Sequence, residues 1–197
     1  METYSFFAML SRMKYINRWG LMRNARQENL SEHSLEVAYI AHVLSLLSGT
    51  DPTRAVFCAL YHDCSEIITG DLPTPIKYHD PQIKDSYKQL EQTAASQLLG
   101  LLPESLAAQY HPCFFEQDEQ VLQLVKAADK LSALIKCIEE IRMGNHDFES
   151  ARQAQLDALA KMQLPAVEQF LQQFLPAYEL TLDEMNRQTH IPTDSDS

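Results

Sequence analysis

The stretch A59-L-Y-H-D-C-S-E-I-I-T69 decides how this chain is read. It is an apolar, helix-forming run that carries His62 and Asp63 side by side, with Glu66 one helical turn further on. Ionised carboxylates avoid apolar interiors unless they are paired or bound to a metal. Two other stretches repeat the anomaly. In S31-E-H-S-L-E-V-A38, His33 heads a stripe continued by Val37, Ile40, Leu44 and Leu47, the recurrence of a core-facing helix. In L124-V-K-A-A-D-K-L131, Asp129 follows Ala128 and lies four residues from Val125, so it borders the buried side of its helix. A lone histidine on a core stripe is more often a hydrogen-bonded structural residue. Two imidazoles and two carboxylates on separate amphipathic helices are instead the donor set of a divalent transition metal. Glu66, on the same side of its helix as His62, is within reach of a water on that ion.

Working outward, the pattern is helical throughout. Asp51-Pro52 is a cap followed by proline at the first helical position, and predicts a helix to Thr69 that stops at Gly70. Ser31 is the expected N-cap of the His33 helix, which runs to about Leu47. A first helix is expected from Ser5 to Ile16, and others from Asp80-Pro81 to near Gly100, from Pro103, and from Glu119 to Met143 before Gly144 and Asn145. Two or three more, broken by Pro165 and Pro176, complete the chain. No segment shows strand alternation. The fold class is all-α: one domain over residues 1–190, with a flexible acidic tail at 191–197. The segments N17-R-W-G-L-M-R-N-A-R-Q-E-N29 and G70-D-L-P-T-P-I-K-Y78 read as loops.

The chain has 197 residues, 45% apolar, with five glycines and a net charge of −11. That surface is wrong for a nucleic-acid polymer, whose binding needs basic patches. A single nucleotide is compatible, since a metal and one arginine meet its few charges. No apolar stretch approaches the ~20 residues of a membrane span. The start M1-E-T-Y-S-F-F lacks a secretory pattern, and Cys58, Cys64, Cys113 and Cys137 are scattered, so a cytoplasmic protein with reduced thiols is expected. His42, His79, His111, His146 and His190 read as surface or loop residues. Arg18-Trp19 admits two readings. Trp19 anchors the loop to the core, or it walls a sugar or base while Arg18 offers a forked charge to phosphate. Asp71, Thr74 and Lys77 are open between loop structure and substrate contact.

The residues His33, His62-Asp63 and Asp129 match the H…HD…D pattern of the HD-domain superfamily of metal-dependent phosphohydrolases. I16-N-R-W, L21-M-R-N, S31-E-H-S-L, Y61-H-D-C-S-E, T69-G-D-L-P-T-P-I-K-Y and K126-A-A-D together resemble the bacterial 5'-deoxynucleotidases of the YfbR type, over nearly the whole chain. The resemblance implies a single HD-domain helical bundle with one mononuclear metal site between helices, a homodimer, and hydrolysis of deoxyribonucleoside 5'-monophosphates. It implies His33, His62, Asp63 and Asp129 as ligands of one divalent ion, with cobalt the assay metal and manganese or copper as alternatives. It makes Glu66 and Arg18 catalytic, Arg18 by orienting the phosphate. It places Trp19 against the sugar's 2' position, and Asp71, Leu72, Pro73 and Thr74, with His33, Asp63 and Asp129, around the substrate. The rivals are another HD-type reaction on a triphosphate or cyclic phosphodiester, a non-catalytic ligand-sensing domain, and a two-iron oxygenase, which needs further inward ligands.

Overall fold

Four helices carry or frame the site, and their sequences explain where each begins and ends. The computed structural model describes residues 2–73 and 80–188. After α1 (Phe6–Leu10) the chain tightens into a 3₁₀ turn, Ser11–Tyr15, in place of one continuous helix to Ile16. Helix α2 spans Leu30–Ser48. Its cap is Asn29, two residues before the expected Ser31. The Asn29 side chain accepts from the Ser31 and Glu32 amides, and Glu32 accepts from the Asn29 amide in return. Such a reciprocal box stabilises a helix start by about 1 kcal/mol. Gly49, at φ 72°, ends the helix in the left-handed conformation that suits glycine.

Helix α3 (Pro52–Tyr61) begins at the Asp51 cap as expected, but it stops at Tyr61 rather than Thr69. From there the amides of Cys64, Glu66, Ile67 and Ile68 bond to carbonyls three residues back, and a short α4 (Glu66–Thr69) follows. The difference matters for the site. At three residues per turn, positions i and i+3 stack, so Glu66 follows Asp63 and not His62; the Glu66 amide donates to the Asp63 carbonyl at 3.0 Å.

Beyond the loop come α5 (Pro81–Leu99), α6 (Glu104–Phe114), α7 (Glu119–Arg142), α8 (Glu149–Met162), α9 (Pro165–Gln173) and α10 (Leu182–Gln188). His111 is exposed, but it lies in α6 and not in a loop. Thr74, Lys77, His79, His190 and the tail 191–197 lie outside the described residues. Among the described residues there is no strand, only an isolated antiparallel bridge between Asn17 and Asn29. No described helix is long and apolar enough to cross a membrane.

The core is built where α2, α3 and α7 meet, with α8 and α9 closing one side. Val37, Ile40, Leu44, Ala55, Ala59, Val125, Ala128, Leu131 and Ile135 fill it. Ala55 and Ala59 on α3 and Ala128 on α7 are small enough for close helix approach. A second cluster packs Phe6, Met13 and Leu30 against Cys64, Leu98 and Leu102, and seats the N-terminal segment against α2 and the turn after α3.

Candidate metal centre

His33 stands in the first turn of α2, His62 and Asp63 in the tight turn that ends α3, and Asp129 midway along α7. The packing of those three elements brings all four side chains together. The coordinating atoms of His33, His62 and Asp129 lie within 4.8 Å of one another. His33 Nε2 is 3.1 Å from Asp129 Oδ1 and 3.5 Å from Asp63 Oδ2, and His62 Nε2 is 3.2 Å from the same Asp63 oxygen. Donors bound at ~2.0–2.2 Å to one transition-metal ion sit roughly 3 Å apart, which is this spacing.

Proton positions sharpen the picture. His62 Nδ1 lies 2.7 Å from the Ala59 carbonyl, which can only accept, so that nitrogen carries the hydrogen. The Ser132 hydroxyl donates to Glu36 at 2.6 Å, so it must accept from His33 Nδ1 at 3.1 Å. Both rings, when neutral, therefore turn an Nε2 lone pair towards two carboxylates, and neither Nε2 has a hydrogen-bond partner among the described residues. Acceptor facing acceptor in a half-buried cleft calls for a cation between them. A divalent ion fits the donor set, and a proton is its competitor. Burial disfavours a charged His62, but Asp63 and Asp129 outweigh it and hold the ring up to about 9. At His33 burial prevails, with the Arg18 charge adding to it, and the pKa falls below the ordinary value. Asp129 is held down to about 2: burial is overcome by His33, Arg18 and His62.

Arg18 closes one side. Its side chain is 15% exposed, and its Nη2 sits 3.8 Å from Asp129 Oδ1. Burial works against the charge, yet Asp129, Asp63, Glu28 and Asp71 raise its pKa above the ordinary value. Arg18 Nη1 has no hydrogen-bond partner among the described residues. Trp19 follows at φ 60°, a left-handed conformation unusual for so bulky a residue. Glu66 is buried at the head of α4. Asp71 is near enough to act on Arg18; Leu72 and Pro73 are half-buried in the chain beyond it. Thr74 lies outside the described residues.

The "5'-deoxynucleotidase YfbR-like" family model matches residues 5–178. The chain belongs to the YfbR-like 5'-deoxynucleotidase family. A 5'-deoxynucleotidase of Vibrio vulnificus is 43% identical over 194 residues, covering 94% of this chain and 100% of the relative. One from Yersinia pseudotuberculosis is 45% identical over 190 residues, covering 92% and 96%. In fold the chain is like an HD-domain phosphohydrolase of Listeria innocua, with TM-score 0.77, 21% identity and coverage of 93% and 96%. It is also like a cyanophage S-2L HD phosphohydrolase bound to dA and one catalytic Zn²⁺, with TM-score 0.64, 20% identity and coverage of 88% and 96%.

Sequence reasoning missed the residues that hold this YfbR-like site in place. Behind His33, burial raises the Glu36 carboxyl to about 7 despite the hydrogen bond from Ser132. Glu28, buried before α2, accepts the Trp19 indole N–H at 2.9 Å. On α7 the buried pair Lys136–Glu140 clamps the 18–29 loop. Glu140 accepts the Ala25 and Arg26 amides at 2.7 and 3.1 Å and the Asn145 side chain at 2.7 Å, and Lys136 donates to both Glu140 and the Arg26 carbonyl. A signal was available. Asp129, Ser132, Lys136 and Glu140 recur every three or four residues, a polar line along an otherwise buried helix.

Proposed function

We propose that the chain hydrolyses deoxyribonucleoside 5'-monophosphates to deoxyribonucleosides and phosphate, at one divalent cation held by His33, His62, Asp63 and Asp129. The observation that carries this reading is the meeting, in a half-buried cleft, of two Nε2 lone pairs and two carboxylates beside an arginine with a spare donor. Family membership supplies the substrate class. A cation bound there would polarise a phosphate oxygen and lower the pKa of a water. Support for a metal also comes from the Zn²⁺ in the cyanophage protein; cobalt, manganese and copper are the other candidates.

The chain's own residues do the rest. Arg18, fixed in charge and with Nη1 to spare, binds the non-bridging phosphate oxygens, where charge grows during the displacement. Glu66, one turn past Asp63, holds the attacking water or moves its proton. Trp19 walls the sugar at its 2' position, and Asp71, Leu72 and Pro73 line the nucleoside side. Outer partners fix the imidazoles: Ala59 for His62, and Ser132 with Glu36 for His33. We further infer a homodimer in the cytoplasm, by likeness to the family and from thiols that stand free.

The test is phosphate release over ribo- and deoxyribonucleoside mono-, di- and triphosphates and cyclic phosphodiesters, with Co²⁺, Mn²⁺, Cu²⁺ and Zn²⁺ in turn. Release from deoxyribonucleoside monophosphates, with little from AMP or from triphosphates, supports the reading. Preference for triphosphates or cyclic diesters overturns it.

A further inference from the structure

Glu28 occupies a position that the reaction alone does not explain. It is 6% exposed, and its charge acts on the Arg18 guanidinium. Its Oε2 accepts the Trp19 indole N–H at 2.9 Å. Its Oε1 lies 3.8 Å from His33 Nδ1. Its backbone carbonyl accepts the Arg18 amide at 2.9 Å, and the Leu30 amide bonds back to Ile16 at 3.0 Å, so Glu28 stands in the bridge that closes the loop at Asn17 and Asn29. The next residue, Asn29, caps α2 and cannot shift without unseating that helix.

Trp19 needs such a hold. A tryptophan at φ 60° persists only where its surroundings over-determine it. The Trp19 carbonyl accepts the Met22 amide at 2.9 Å and the Asn24 side chain at 3.3 Å, which settles the backbone. One side of the indole packs on Phe148, ring centroids 5.3 Å apart. Ring packing leaves the indole free to slide or tilt in its plane; a hydrogen bond from Nε1 to a buried carboxylate fixes its rotation.

We propose that Glu28 is a positioning residue for sugar choice: by holding the indole of Trp19 at one angle beside the His33 end of the cleft, it makes the enzyme reject a 2'-hydroxyl. This rests on the reading of Trp19 given above. Glu28 holds the indole and is not one of the four donors, so its loss should act on discrimination between sugars more than on turnover of the deoxy substrate.

Trp19 is the chain's single tryptophan, so its emission reports the indole's surroundings directly. The test compares wild type with Glu28→Met, which keeps the length of the side chain and removes the acceptor, and with Glu28→Gln, which keeps an acceptor. The readouts are tryptophan emission and the ratio of kcat/KM for dAMP to that for AMP, on the full chain loaded with Co²⁺. Glu28→Met should shift the emission and cut the ratio about tenfold, the size of one lost charge-assisted hydrogen bond. Glu28→Gln should retain most of the ratio. Trp19→Phe removes the same bond from the other side and should lower the ratio without help from Glu28; adding Glu28→Met to it should then change little. It also serves if Glu28→Met does not fold. A folded Glu28→Met with wild-type emission and ratio overturns the proposal. Shifted emission with an unchanged ratio overturns the role in sugar choice and, with it, the reading of Trp19. If wild type hydrolyses no deoxyribonucleoside monophosphate, the proposed function itself fails; an emission shift in Glu28→Met would still show Glu28 holding the indole.

Discussion

The two sides of the cleft are held by different physics. His33, His62, Asp63 and Asp129 ride on α2, α3's closing turn and α7, and their meeting follows from apolar packing of those elements. Arg18 and Trp19 ride on a loop, whose place depends on buried polar contacts: Glu28 to the indole, and Lys136 and Glu140 to the Ala25–Arg26 backbone. Both sides converge on α7, which carries Asp129 and Ser132 towards the donors and Lys136 and Glu140 towards the loop. A half held by apolar packing thus carries the proposed ion ligands and a stapled half carries Arg18 and Trp19, with one helix setting the register between them.

Mutations on each side should separate these roles. The largest effect is expected from Glu66→Gln on the helix side. Turnover should drop by about 10²- to 10⁴-fold, the range for a lost general acid or base, while metal analysis still finds one ion per chain. Near-normal turnover would remove Glu66 from the chemistry. On the loop side, Lys136→Met strands the Glu140 carboxylate in the interior. The cost should be roughly 3–5 kcal/mol of stability, read by denaturant unfolding, with KM for dAMP rising and the bound ion retained. Loss of the ion instead would show that the halves are not separable. Ser132→Ala, directly behind the His33 ring, leaves that imidazole without its tautomer-fixing partner. Metal affinity should weaken by about 10- to 100-fold at unchanged sugar preference, measurable by titration against a chelating indicator.

An effect of similar size joins metal, proton and stability. At free ion about 100 times Kd, binding contributes roughly 2.7 kcal/mol, so stripping the ion should lower Tm by about 5–11 °C. The pH dependence has a definite sign. Without metal, His62 titrates at about 9 instead of 6.5. Its protonated form contributes stability that is complete below pH 6.5 and is lost as pH rises through about 9. The ion competes for the same nitrogen, so its affinity grows over that interval. The Tm gap between loaded and stripped protein should widen from pH 6.5 to 9; a constant gap would put His62 outside the ligand set.

The helix-borne half was legible in the sequence because it obeys periodicity. His33 heads an unbroken apolar stripe, and Asp129 flanks another. The break after Tyr61 was not legible. Nothing in Y61-H-D-C-S-E interrupts a helical pattern, and the shift to three residues per turn is set by tertiary packing around Cys64. Ser31 was expected as the cap because serine caps well; asparagine caps equally well, and the reciprocal bonds between Asn29 and Glu32 place the cap at Asn29. Glu28 was hidden for a different reason. Its role depends on a partner nine residues away across a loop, and loops have no period. Lys136 and Glu140 did follow a period, as a polar line that passes for the solvated edge of a helix until α7 is seen to be buried there.

The central claim is that three separate stretches grip one divalent cation. Titration of metal-stripped protein with Co²⁺, followed by its visible absorption, tests it most directly. Wild type should saturate at one equivalent, and His33→Ala and Asp129→Ala should show no comparable binding while retaining their helical circular dichroism. Wild-type saturation in either folded variant would contradict it.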